Sequence, residues 1–159
     1  MITGLRSALL CSKVEHRPDG SSAYIGILGA DIYAGSRPGL IECWLTVQLD
    51  LDQTATSGAL AVVCEGLEQV FPFETPDGYS DAAFALPLII PVLREGNLQL
   101  SIRDLGAPGA ERSVTWRLNF APGAERMKSR GAGERIVLVA QEAARTVAAQ
   151  IAGLGSTRH

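Results

Sequence analysis

Histidine is nearly absent from this chain: His16 and the terminal His159 are the only two. Serine or cysteine nucleophiles normally need an imidazole base. His16, beside Arg17-Pro18-Asp19-Gly20, reads as a solvated turn residue instead. The sequence also has no Gly-x-Ser-x-Gly elbow, no Gly-x-x-x-x-Gly-Lys loop and no Cys-x-x-Cys pair, which removes the usual frames for acyl transfer, phosphate cradling, dithiol redox chemistry and zinc. Gly26-x-x-Gly29 sits within a strand-like run, with no helix after it to bind phosphate. A basic excess is missing too: 14 Lys and Arg stand against 17 Asp and Glu, a net charge of -3, so a nucleic-acid partner is not expected. Apolar runs are broken by charges or prolines well short of the ~20 residues a membrane-spanning helix needs.

What the chain does have is alternation. From Leu40 to Leu51, Ile41, Cys43, Leu45, Val47, Leu49 and Leu51 take one face, and Glu42, Trp44, Thr46, Gln48 and Asp50 the other. That is a half-buried strand. Leu98, Leu100 and Ile102, then Val114, Trp116, Leu118 and Phe120, alternate on either side of Gly106-Ala107-Pro108-Gly109 and predict a hairpin. Leu5 to Val14 and Tyr24 to Tyr33 flank the Pro-Asp-Gly turn as a second hairpin. Ala8-Leu9-Leu10-Cys11 is too short for a secretion-signal core, and Leu10 stands where a small residue is wanted, so a first β-strand is the reading. Ala59 to Cys64 and Leu67 to Phe73 predict two short strands. Phe84 to Val92 carries Pro87 and Pro91, which cannot donate to a ladder and place that run at an edge or in a covering loop. Seven to eight strands without an intervening helix predict a mainly β protein, an antiparallel β-sandwich of immunoglobulin-like or C2-like type over residues 1–121, with a β-barrel as the alternative.

The tail differs. Residues 122–133 read as a linker, and residues 134–153 as an amphipathic helix whose apolar stripe is Ile136, Val139, Ala140, Ala143, Val147 and Ile151. The body up to Ala121 holds eight basic and 14 acidic residues and the tail six basic and three acidic, so the two parts are complementary in charge. Such a helix persists only by burying its stripe, on its own sandwich or, the favoured reading, on a neighbouring copy by exchange or tail-to-tail pairing, which makes Ile136, Val139, Ala143, Val147 and Ile151 interface candidates. Ala107-Pro108-Gly109-Ala110-Glu111-Arg112 recurs as Ala121-Pro122-Gly123-Ala124-Glu125-Arg126, a repeat of turn chemistry rather than of a structural unit.

Ala8-Leu9-Leu10-Cys11, Val14-Glu15-His16-Arg17-Pro18-Asp19-Gly20 and Tyr24-Ile25-Gly26-Ile27-Leu28-Gly29 together resemble a group of small bacterial proteins of unknown function. In that group an N-terminal strand, a Pro-Asp-Gly turn and an Ile-Gly strand open a β-sandwich. The resemblance implies the fold and supplies no functional residue.

Three candidate constellations follow. Asp50 and Asp52 close the long alternating strand and Asp77 and Asp81 flank another loop, hard oxygen donors of the kind calcium takes. Trp44 stands among polar neighbours, an aromatic anchor for an interface unless its own chain covers it. Cys11, Cys43 and Cys64, odd in number and each in an apolar run, read as buried free thiols and point to a reducing, cytoplasmic setting. The expected function is a non-catalytic binding or scaffold module that self-associates as a homo-oligomer or meets another protein, without a cofactor. The alternative is a metal-dependent domain, calcium-binding or hydrolytic, on those four aspartates.

Overall fold

The computed structural model describes residues 2–34, 39–52, 57–76, 78–106, 111–120 and 130–155. The strands are β1 (Ile2–His16), β2 (Ser22–Leu28), β3 (Asp31–Ala34), β4 (Gly39–Leu51), β5 (Ser57–Cys64), β6 (Leu67–Glu74), β7 (Asp81–Val92), β8 (Gly96–Asp104) and β9 (Glu111–Phe120), followed by one helix, α1 (Arg130–Gly155). They form a four-stranded sheet in the order β2-β1-β4-β7 and a five-stranded sheet in the order β3-β9-β8-β5-β6. The two sheets pack face to face as a β-sandwich, and among the described residues they do not close into a barrel.

Alternation carries this arrangement. Cys43, Leu45, Val47, Leu49 and Leu51 of β4 face Leu60, Val62, Phe71, Leu98, Leu100, Trp116 and Leu118 of the other sheet in one continuous core. Leu98↔Trp116 is a register pair of the β8–β9 hairpin. At the tip of the first hairpin, the Gly20 amide donates to the Arg17 carbonyl at 3.0 Å, while the Asp19 carboxylate accepts from the Ser21 amide and hydroxyl. The β5–β6 hairpin turns in only two residues, Glu65 at φ 48° and Gly66 at φ 79°, the left-handed pair of a type I′ turn.

Three expectations need correction. Tyr24 to Tyr33 is not one strand: the chain leaves the first sheet after Leu28, and Asp31–Ala34 joins the second sheet. There β3 runs parallel to β9, so the sandwich is antiparallel except for this pair, and the described strands number nine. A run of apolar residues has the same period on either side of a sheet switch, so the pattern could not reveal it. The helix begins at Arg130 rather than 134, which takes Gly131 and Gly133 out of the linker and into its first turns. Two glycines in four residues argue against a helix by propensity, yet one forms.

Helix α1 lies over the side where β6 and β7, the outermost strands of the two sheets, come together. Ala140, fully buried, packs with Leu67 of β6 and Ile89 of β7, flanked by Leu40, Ala143, Ala144 and Val147. Small residues at this contact let the helix backbone approach the sheet closely. The stripe differs from expectation at Val139, which is 57% exposed.

Candidate binding surfaces

Of the two outer strands under α1, β7 is sealed and β6 is cut short, each by particular chemistry. In an extended strand alternate N–H groups point the same way. The amide side chain of Gln69 donates to the Ile89 carbonyl at 2.9 Å and accepts from the Ile89 amide at 3.0 Å. The N–H of Ile89 therefore points away from β4, toward the open edge of the sheet. Residues 87 and 91 point the same way, and both are proline. Along this stretch the edge thus keeps one donor, and a buried glutamine holds it. Pro72 removes one donor from the outer edge of β6 and leaves those of Glu68 and Val70. These are devices that stop another strand from adding to a sheet.

Among the described residues, nothing covers the opposite side of the sandwich as α1 covers this one. There β2 and the four-residue β3 are the outermost strands, and no proline interrupts them. Tyr24, Ile25 and Ile27 of β2 and Tyr33 of β3 are exposed, Ile27 to 60% and Tyr33 to 73%. Ser22–Leu28 contains no charged residue. Midway along it, Gly26 takes φ +63° where the Ser12 hydroxyl donates to its carbonyl at 3.2 Å, and a Cβ at that position would lie 2.5 Å from the Ser12 Oγ.

The aspartates are partly brought together. Asp50 and Asp81 are register partners at one end of β4 and β7. Between them sits Arg6, whose Nε is 2.6 Å from Asp50 Oδ1 and whose Nη1 is 3.2 Å from Asp81 Oδ2. The guanidinium already supplies the positive charge that two carboxylates call for. Asp52 is exposed at the end of β4, and Asp77 lies outside the described residues. Among the described residues no group of three or more histidine, cysteine or carboxylate side chains converges as metal ligands do.

Trp44 lies on the outer face of β4, opposite Pro87 of β7, and is half-buried. It opens onto a cleft of about 580 Å³ between that face and α1, shared with Glu42, Ala143, Thr146 and Val147. Of the helix stripe, Ala143 and Val147 are used within the chain, Ile136 is half-buried, and the Ile151 side chain lies outside the described residues. A second cleft, of about 370 Å³, runs on the other flank of α1, along β6.

The three thiols are buried and unbridged. Burial pushes Cys43 and Cys64 up to about 12, with smaller repulsive contributions from Cys11 on Cys43 and from Glu65 and Cys43 on Cys64. Such groups are protonated at neutral pH and are poor nucleophiles. His16 is exposed at the hairpin, with Nδ1 2.9 Å from the Ser22 hydroxyl.

Sequence reasoning passed over Gln69, though its signal is in the pattern. Leu67, Phe71 and Phe73 are the inward residues of β6, and Gln69 fills the fourth inward slot with an amide. No family model and no curated protein matches the chain.

Proposed function

We propose that the protein is a non-catalytic binding module that associates with a second copy of itself through the free edge of β2. The observation that carries this reading is the contrast between its two sides. Prolines and Gln69 seal β7 and Pro72 cuts the edge of β6 short beneath α1, whereas β2 offers an uninterrupted, uncharged strand with exposed Tyr24, Ile25 and Ile27. Two such strands related by a two-fold axis meet antiparallel with no charged side chain on either strand. The buried free thiols favour a reducing, cytoplasmic setting. A calcium-binding or hydrolytic role on Asp50, Asp52, Asp77 and Asp81 has less support, because Arg6 fills the space between two of the four.

Light scattering tests the reading directly. The protein is expected at twice its 16.8 kDa chain mass, with Ile25→Lys, which puts charge on the edge, returning it to the monomer. A wild-type protein that stays monomeric at tens of micromolar overturns self-association.

A further inference from the structure

We infer that the cleft between β6 and α1 is a second binding site, on the opposite side of the sandwich from β2, and that it takes an extended acidic peptide by strand addition. Six consecutive residues of the chain, Gly66 to Phe71, line this cleft. A pocket on one face of a strand is lined by alternate residues, so an unbroken run means that the strand's edge itself forms the wall. The opposite wall is two turns of α1, including Gln141, Ala144, Arg145 and Ala148. An edge strand facing a helix across a groove is the arrangement in which a peptide can lie as an added strand.

The hydrogen-bonding register says which groups face the groove. Leu67 pairs with Cys64 across the two-residue turn, so the Leu67 amide and carbonyl point to β5, as do those of Gln69 and Phe71. Glu68 and Val70 therefore present their amides and carbonyls outward. Pro72 has no N–H and ends the ladder, which leaves a short docking edge of two donors and two acceptors. This confines the site to a brief segment and keeps the edge from templating long sheets.

Charge selects the occupant. Glu68 already pairs with Arg103 on the outer face of the sheet. Arg145, in contrast, makes no ion pair among the described residues and stands in the cleft wall beside the Gln141 amide. An exposed guanidinium next to free backbone groups suits a peptide with a carboxylate side chain at the position that reaches the helix. The volume of about 370 Å³ falls in the ~300–1,000 Å³ range of ligand clefts.

The probe is a fluorescein-labelled, end-capped hexapeptide of alternating valine and glutamate, titrated against the full chain by fluorescence anisotropy, with backbone amide resonances followed in parallel. Saturable binding is expected, with slowed hydrogen exchange at the Glu68 and Val70 amides. Val70→Pro removes one outward donor without touching the β5 ladder, as Pro72 already does two residues on, and is expected to weaken binding about tenfold or more, about 1.4 kcal/mol. Arg145→Glu leaves the backbone edge intact and is expected to transfer preference to the valine–lysine hexapeptide. Both losses are required. Binding that survives either substitution, protection appearing at Tyr24 to Leu28 instead of at Glu68 and Val70, or no binding at millimolar peptide overturns the inference.

Discussion

Gln69 shows how one residue can carry an architectural task. It is 6% exposed, and both ends of its amide are engaged by the backbone of Ile89, so β6 of one sheet is tied to β7 of the other by a side chain that imitates a peptide unit. Replacing it by leucine keeps the volume and leaves a buried N–H and a buried carbonyl without partners. Each such orphan costs ~1–3 kcal/mol, and the Gln69→Leu protein is expected to lose about 2–4 kcal/mol in urea unfolding; an unchanged midpoint would show that water serves Ile89 equally well. Trp116, 7% exposed in the central core, should cost about 3–5 kcal/mol on truncation to alanine. Cys43 and Cys64 make a third residue-scale expectation. Their folded values of about 12 lie above the ordinary value of 9. Between those limits the unfolded chain gives up protons that the folded chain keeps, so stability must fall as pH rises from about 9 to 12, by ~1.4 kcal/mol per pH unit for each thiol. Replacing both by alanine should flatten that slope whatever it does to the midpoint at neutral pH.

At the scale of elements, the described side chains of α1 make a thin contact with the sheets. The buried centre is Ala140, with Ala143, Ala144 and Val147 around it, while Leu138 and Val139 face solvent at 63% and 57%. Along these residues the helix packs by close approach of small side chains rather than by bulk. Ala140→Trp should lift it from Leu67 and Ile89 at a cost of about 1–3 kcal/mol. The signature is loss of helical circular dichroism at a lower temperature than the β signal; a single coincident transition would mean that helix and sandwich remain one cooperative unit. The edge strands make the complementary point. β7 is guarded by prolines and by Gln69, β6 is only cut short by Pro72, and β2 is guarded by neither.

For the whole molecule, the two proposed surfaces lie on opposite sides of one sandwich, so a second copy and a peptide would not compete for the same space. Removal of α1 separates their contributions. Without residues 130–155 the β6 groove loses its second wall and Arg145, while β2 is untouched. The truncated chain should therefore keep the wild-type association state yet lose the acidic hexapeptide, and it should bind apolar dyes where Leu67 and Ile89 are uncovered. A truncated chain that falls to the monomer would place the dimer contact on the helix and overturn the β2 reading.

How much of this was legible before the fold depends on the range of the interaction. Period-two alternation from Cys43 to Leu51 and through the Leu98–Phe120 hairpin depends only on neighbours along the chain, and it placed the core faces of β4, β8 and β9 correctly. Turn chemistry at Arg17-Pro18-Asp19-Gly20, and prolines at 87 and 91 that put β7 on an edge, are equally local. The change of sheet between Leu28 and Asp31 is not, because it is decided by which sheet has an open place beside β9. Nor is the fate of the aspartates: Asp50 and Asp81 are 31 positions apart, and whether they meet a cation or Arg6 is settled by the β1–β4–β7 registers. Gln69 was visible as a break in an apolar pattern, but its partner, the edge donor of β7 between Pro87 and Pro91, is met only once the two sheets are stacked. The sequence by itself thus determined faces, turns and edges, where the physics is steric and periodic; the tertiary structure alone decided which edges are sealed and which are left open, because that depends on what lies across the gap between the sheets.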